Sequence, residues 1–132
     1  MKVMLAGVAA WGLAASGVFA QDVPVEVTTL GTSQVTLHLH GFLAEDELTV
    51  LRLVAKDTNA LALFVPEGEG FAAMAVSPDD GFIRDGAPVA SAVALSGLAD
   101  ADTAKADVLA ACEAARKGEA GCVLVLEVAP AP

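Results

Sequence analysis

Residues 108–128 read VLAACEAARKGEAGCVLVLEV and hold the chain's two cysteines, Cys112 and Cys122. The stretch joins two periods. Val108, Ala111, Cys112 and Ala115 recur at helical spacing and extend a face begun by Ala101 and Ala104, while VLVLEV is an apolar, β-branched run. A helix therefore runs from a cap at Asp100 or Asp102 to about Lys117, and Gly118 ends it. A strand follows from Cys122. A helix that turns sharply into a strand must pack back on a sheet, and that sets the fold class. The cysteines themselves admit three roles: a catalytic pair, a metal site or a staple.

Reading outward toward the N-terminus gives further elements. Residues 89–95 (VASAVAL) are strand-like, although their alanines also suit a helix. SPDDG at 77–81 is a turn, with Pro78 preset for its second position and Gly81 free to take positive φ. FAAMAV at 71–76 and ALALFV at 60–65 read as two strands joined by PEGEG in a hairpin. Residues 44–56 shift to helical period, with Leu48, Leu51 and Ala55 on one face. Glu45, Asp46 and Glu47 sit in the first turn and Lys56 in the last, as the helix dipole prefers. VTLHLH at 35–40 alternates cleanly, and residues 23–30 form another strand. The order β-β-α-β-β-β-α-β predicts one small α+β domain, a mostly antiparallel sheet with two helices packed on it. Residues 35–65 and 89–128 each read strand-helix-strand, a hint of internal duplication with poor side-chain matches. APAP cannot continue a sheet, so residues 127–132 are expected as the tail end of the domain.

The chain opens MKVMLAGVAAWGLAASGVFAQDVP. Lys2 precedes an apolar run from Val3 to Gly17, and Val18-Phe19-Ala20 fits the small-residue rule for cleavage between Ala20 and Gln21. The run is shorter than a spanning helix of roughly 20 apolar residues and is broken by three glycines. Residues 1–20 are thus expected to be a cleaved signal peptide and 21–132 a soluble periplasmic or secreted domain, free of the membrane after cleavage. Cleavage removes one of seven basic residues and none of the 17 acidic ones, taking the net charge from −10 to −11. Such a charge repels nucleic acid and anionic lipid, and no basic stripe offsets it. The only aromatics left are Phe42, Phe64, Phe71 and Phe82, too few for a sugar or single-strand platform.

FAAMAVSPDDG and ADVLAACEAARKGEAGCVLVLEVAP together resemble a group of short exported bacterial proteins of unknown function. Their shared pattern is an A-V-S-P-D-x-G turn, an alanine-rich helix ending in A-L-A-A-C, and a C-V-hydrophobic strand. The likeness covers about residues 43–130 and is sharpest at 75–81 and 109–125; similar proteins tend to carry aromatics where this chain has Glu69-Gly70-Phe71-Ala72. In broader families of this kind the helix cysteine pairs with one on the next strand, which implies a bridge here. Some members bear the label 5-aminolevulic acid synthase. That chemistry needs a Schiff-base lysine, a phosphate cradle and a pyridinium partner in a large domain. After cleavage only Lys56, Lys105 and Lys117 remain, with no glycine-rich strand-to-helix turn, so the label does not describe an activity of this chain and no cofactor is expected.

Position also favours a structural disulfide between Cys112 and Cys122. Redox pairs favour C-x-x-C at a helix N-terminus, whereas Cys112 lies near a helix C-terminus where the dipole disfavours a thiolate. Export favours oxidation, and a two-cysteine zinc site would need further ligands.

Few other side chains suggest chemistry. His38 and His40 lie at i and i+2 on the polar face of one strand, a weak pair for copper or zinc that lacks adjacent ligands. The plainer account is a solvent-facing strand surface. Asp79, Asp80 and Asp85 lack the order of a calcium loop and read as a solvated turn. Ser77, Ser91 and Ser96 have no nucleophile-elbow frame. Glu67 and Glu69 read as a charged loop tip, and Met74 as core. The expected function is a non-catalytic module that binds an envelope protein or a small ligand. The alternative is a metal-binding protein or small enzyme using His38 and His40.

Overall fold

The computed structural model describes residues 23–65 and 70–132. The expected signal peptide, its cleavage site at Ala20 and Gln21, and the loop acids Glu67 and Glu69 lie outside them. Five strands form one antiparallel sheet: β1 (Val25–Leu30), β2 (Ser33–His38), β3 (Phe71–Val76), β6 (Val93–Leu98) and β7 (Val123–Pro130), in spatial order β1-β2-β7-β3-β6. A two-stranded ribbon, β4 (Ile83–Arg84) with β5 (Ala87–Pro88), stands apart. Three helices, α1 (Glu45–Lys56), α2 (Thr58–Phe64) and α3 (Ala101–Ala115), complete an α+β domain.

The helices divide between the two faces of the sheet. Alternation along β2 turns Val35 and Leu37 inward beneath α1, where they meet Leu51, Val54, Met74, Val76, Phe82, Leu126 and Val128 in the larger core. The opposite face of β3 carries Ala73 and Ala75, and α3 lays Ala104, Val108 and Cys112 on them. Small residues on both surfaces let the α3 backbone approach the sheet closely. Val125 and Leu126 are both buried in the larger core although they are consecutive in a strand. A register shift between Met74 and Ala75 accounts for this, because Met74 pairs with Leu126 while Ala75 pairs with Leu124. The intervening Val125 is a bulge, and the pleat changes phase there.

Several sequence expectations need correction. Residues 60–65 are not a strand: α2 spans Thr58–Phe64, and Asp57 caps it by accepting from Ala60 N at 2.9 Å. ALALF alternates, but alanine and leucine are strong helix formers, and an aspartate three residues ahead supplies the missing N-cap. The hairpin between 60–65 and 71–76 therefore does not exist, and neither does the strand-helix-strand repeat. Among the described residues three helices, not two, pack on the sheet. The strand expected at 89–95 lies instead at Val93–Leu98, preceded by the small ribbon. The tail continues the sheet after all: Pro130 pairs with Ser33, and Ala131 N donates to Thr32 O at 2.8 Å. Proline is tolerated there because it closes the last strand, where a ladder donor is dispensable.

Candidate functional site

Two sites emerge once side chains are placed. The first is an open surface. α3 covers β3, β6 and only the near side of β7, so among the described residues no helix lies above the same face of β1 and β2. Register aligns Val25 with His38, Val27 with Thr36 and Thr29 with Gln34 on that open face. Val25 and Val27 are 48% and 55% exposed, high for valines in a sheet. A shallow groove of about 540 Å³ runs between this face and the flank of α3, lined by Val23, Val25, His38, His40, Leu109 and Leu124.

His38 and His40 are less free than a solvent-facing strand implies. His38 Nε2 lies 2.7 Å from Glu127 Oε2 on β7, and His40 Nε2 lies 2.7 Å from the carbonyl oxygen of Leu124. A carbonyl only accepts, so His40 donates from Nε2. The His38 contact holds the Glu127 carboxyl below its ordinary value against an opposing burial effect, with Lys105 adding a smaller pull. The imidazoles have centroids 6.1 Å apart, and His40 stacks on Phe42 at 5.5 Å. Among the described residues no group of three histidine, cysteine or acidic side chains converges as a metal site would require. Both histidines have partners other than serine, so neither is placed as the base of a hydrolase.

The second site is structural and corrects the reading of Asp79 and Asp80 as a solvated turn. Asp80 Oδ2 accepts from Ser91 Oγ at 2.6 Å and from Lys117 N at 2.9 Å, and its Oδ1 accepts from Gly118 N at 2.8 Å. Asp79 Oδ2 accepts from Glu119 N and Ala120 N at 3.0 and 2.9 Å. Ser77 Oγ donates to Ala120 O at 3.0 Å, so the turn grips four consecutive backbone amides of the loop between α3 and β7. These contacts hold the Asp80 carboxyl below its ordinary value, the Ser91 hydroxyl acting most strongly. Gly118 is required by this embrace: a Cβ there would lie 2.3 Å from Asp79 Cβ.

The gripped loop leads into the disulfide. Cys112 and Cys122 are bonded, with Cα atoms 6.2 Å apart, as their placement predicted. Glu113 Oε2 accepts from Cys122 N at 2.7 Å, while Arg116 binds Glu113 and the Gly118 carbonyl.

Sequence reasoning also passed over Glu47 as an ordinary first-turn acid. It is 3% exposed. Its Oε1 accepts from Ala44 N at 2.9 Å, and its Oε2 accepts from Phe82 N at 2.9 Å and Ile83 N at 2.8 Å. Burial pushes this carboxyl up, but three backbone donors and Arg84 together hold it below its ordinary value. Glu47 thus fastens the chain after the Asp79–Asp80 turn to α1. One sequence signal was available: an acid at the third position of a helix, where a capping box places it.

No protein-family model, curated protein or solved structure matches this chain. Among the described residues no helix is long and apolar enough to cross a membrane.

Proposed function

We propose that this chain is an exported, disulfide-stapled, non-catalytic binding module of the bacterial envelope, periplasmic or secreted, whose open sheet face receives a protein partner. The observation that carries the reading is the uncovered half of one sheet face, where exposed Val25 and Val27 adjoin the groove beside α3. Polar groups there are bonded within the chain: His38 to Glu127, and His40 to Leu124 O. That arrangement suits recognition better than catalysis, since among the described residues no activated nucleophile or poised base accompanies it. The groove is broad and shallow, whereas small-ligand sites enclose most of their ligand, so a protein surface fits better than a metabolite. A disulfide in a small domain supports an oxidising compartment, and so does the likeness to short exported bacterial proteins.

A second reading has one observation in its favour. Metal-binding histidines usually donate their other ring N–H to a carboxylate or backbone carbonyl, as His38 and His40 do through Nε2. That would leave Nδ1 of each for an ion, in a metal carrier or small enzyme.

Site-specific photo-crosslinking in the envelope tests the first reading. A photoreactive residue replacing Thr36, in the middle of the open face, should yield a discrete protein adduct. The same residue at Leu63, which is 81% exposed on α2, should not. Adducts at neither position, or equally at both, would overturn the assignment of the face.

A further inference from the structure

Among the described residues the sheet has two edges, β1 and β6, and they are protected differently. An edge strand offers unpaired N–H and C=O groups, and proteins blunt such edges with bulges, proline, lysine or a covering helix. β6 is blunted. Its register shifts opposite Phe71 and Ala73, near Gly97 at φ 72°, and both α2 and α3 touch it. β1 is touched by α1 on the side of the larger core, but its own run carries no break. VEVTTL contains no proline, lysine or glycine, and its register with β2 runs unbroken from Val25 against His38 to Leu30 against Ser33.

The outward groups of β1 can be named. Leu39 N donates to Pro24 O at 2.8 Å, so Pro24 turns its carbonyl toward β2. By the alternation of an antiparallel ladder, Glu26, Thr28 and Leu30 face β2 as well, and Val25, Val27 and Thr29 direct their N–H and C=O away from the sheet. The same three residues place their side chains on the open face.

We infer that β1 pairs antiparallel with β1 of a second copy of this chain, about a twofold axis through Val27. In a two-fold pairing that keeps the open faces on one side, outward residues must oppose outward residues. Centring on Val27 sets Val27 against its own copy and Val25 against Thr29 at either end, which engages every outward group of both strands. Sliding the register by two residues along the strand leaves groups unmatched. Glu26 falls opposite Thr28, and Arg52 already binds it at 2.8 and 3.1 Å, so no free carboxylate faces another across the seam. The pairing joins the exposed valines of two copies into one apolar strip. Each copy carries a net charge of −10, so added salt strengthens the association by screening their repulsion. This inference is independent of any partner on the open face.

Sedimentation of the oxidised chain over a concentration series reaching millimolar tests the pairing. The parent should be a reversible dimer that tightens with salt. Val27→Lys sets two cations face to face on the axis and should weaken self-association at least tenfold with circular dichroism unchanged. The register has its own readout. Hydrogen-bonded antiparallel partners have Cα atoms about 5.5 Å apart, within disulfide range. Val27→Cys treated with diamide should therefore give a covalent dimer, while Val25→Cys, which opposes Thr29, should not. A parent that stays monomeric throughout, a Val27→Lys variant that dimerises as the parent does, or equal cross-linking of both cysteine variants would each overturn the inference.

Discussion

Replacing Glu47 with alanine removes one carboxylate and leaves backbone donors of Ala44, Phe82 and Ile83 without their acceptor. Phe82 is buried and Ile83 half-buried, so water replaces the lost bonds poorly. An orphaned buried N–H costs about 1–3 kcal/mol, and hydrogen bonds to a charged acceptor stand at the upper end of the usual range. Two such donors plus the helix-start amide give an expected loss of about 3–5 kcal/mol. For a domain of this size that corresponds to a fall of roughly 12–20 °C in Tm. Arg84 is mostly exposed at its end of the pair and contributes little, so Arg84→Ala should stay within about 0.5 kcal/mol of the parent. Glu47→Gln keeps one oxygen for Phe82 and Ile83 and turns an amide toward Ala44, so its loss should be intermediate. Urea unfolding followed by circular dichroism measures all three. The pH dependence is a second readout. The Glu47 carboxyl is held below its ordinary value of 4.5, so its contribution is complete above that pH and is lost as pH falls through the lower folded-state value. The gap between parent and Glu47→Gln should be level above about pH 4.5 and close in more acid solution. An alanine variant within about 1 kcal/mol of the parent at neutral pH would refute the reasoning.

Three further outcomes are expected. Cys112→Ala with Cys122→Ala should lower stability by about 2.5–3 kcal/mol from loop entropy, with secondary structure retained, and thiol titration of the unreduced native protein should find no free thiol. Asp79→Ala with Asp80→Ala should speed amide exchange at Lys117, Gly118, Glu119 and Ala120 while the β1–β2 ladder exchanges as before, and uniform acceleration would contradict a local grip. Calorimetric titration with Cu²⁺ and Zn²⁺ should show no stoichiometric submicromolar site; one lost on His38→Ala with His40→Ala would promote the metal reading.

Much of the fold was legible because its strongest elements carry undiluted periods. Residues 35–38 alternate as a strand with one buried face, and 101–115 repeat at helical spacing between Asp100 and the gripped loop. The failure at 58–64 came from a run in which alternation and helix propensity point opposite ways, and the deciding residue, Asp57, both ends α1 and caps α2. The disulfide was legible from local order, helix then short turn then strand, joined to a spacing and a helix position that do not suit a redox pair. The hold of Asp79 and Asp80 on the loop was not, because the loop donors lie 37 to 41 residues away and are backbone amides, which leave no trace in side-chain identity. Glu47 was hidden similarly, since the Phe82 and Ile83 amides it binds lie 35 and 36 residues on. The open face was half legible. The pattern placed His38 and His40 on the side of β2 away from the larger core, but only the short reach of α3 leaves that side uncovered.

The embrace of Gly118 by Asp79 and Asp80 has a consequence for how the chain matures. Carboxylates and amides need no oxidant, so the turn and the loop can find each other while both thiols are still reduced. Cys122 then already sits beside α3, with its N–H on Glu113. Its sulfur meets Cys112 as a neighbour at high effective concentration rather than as the far end of a wandering loop. Oxidation in such a chain can come last, sealing an arrangement that polar contacts already favour, and the choice of partner needs no trial of alternatives because there is no third cysteine to offer one.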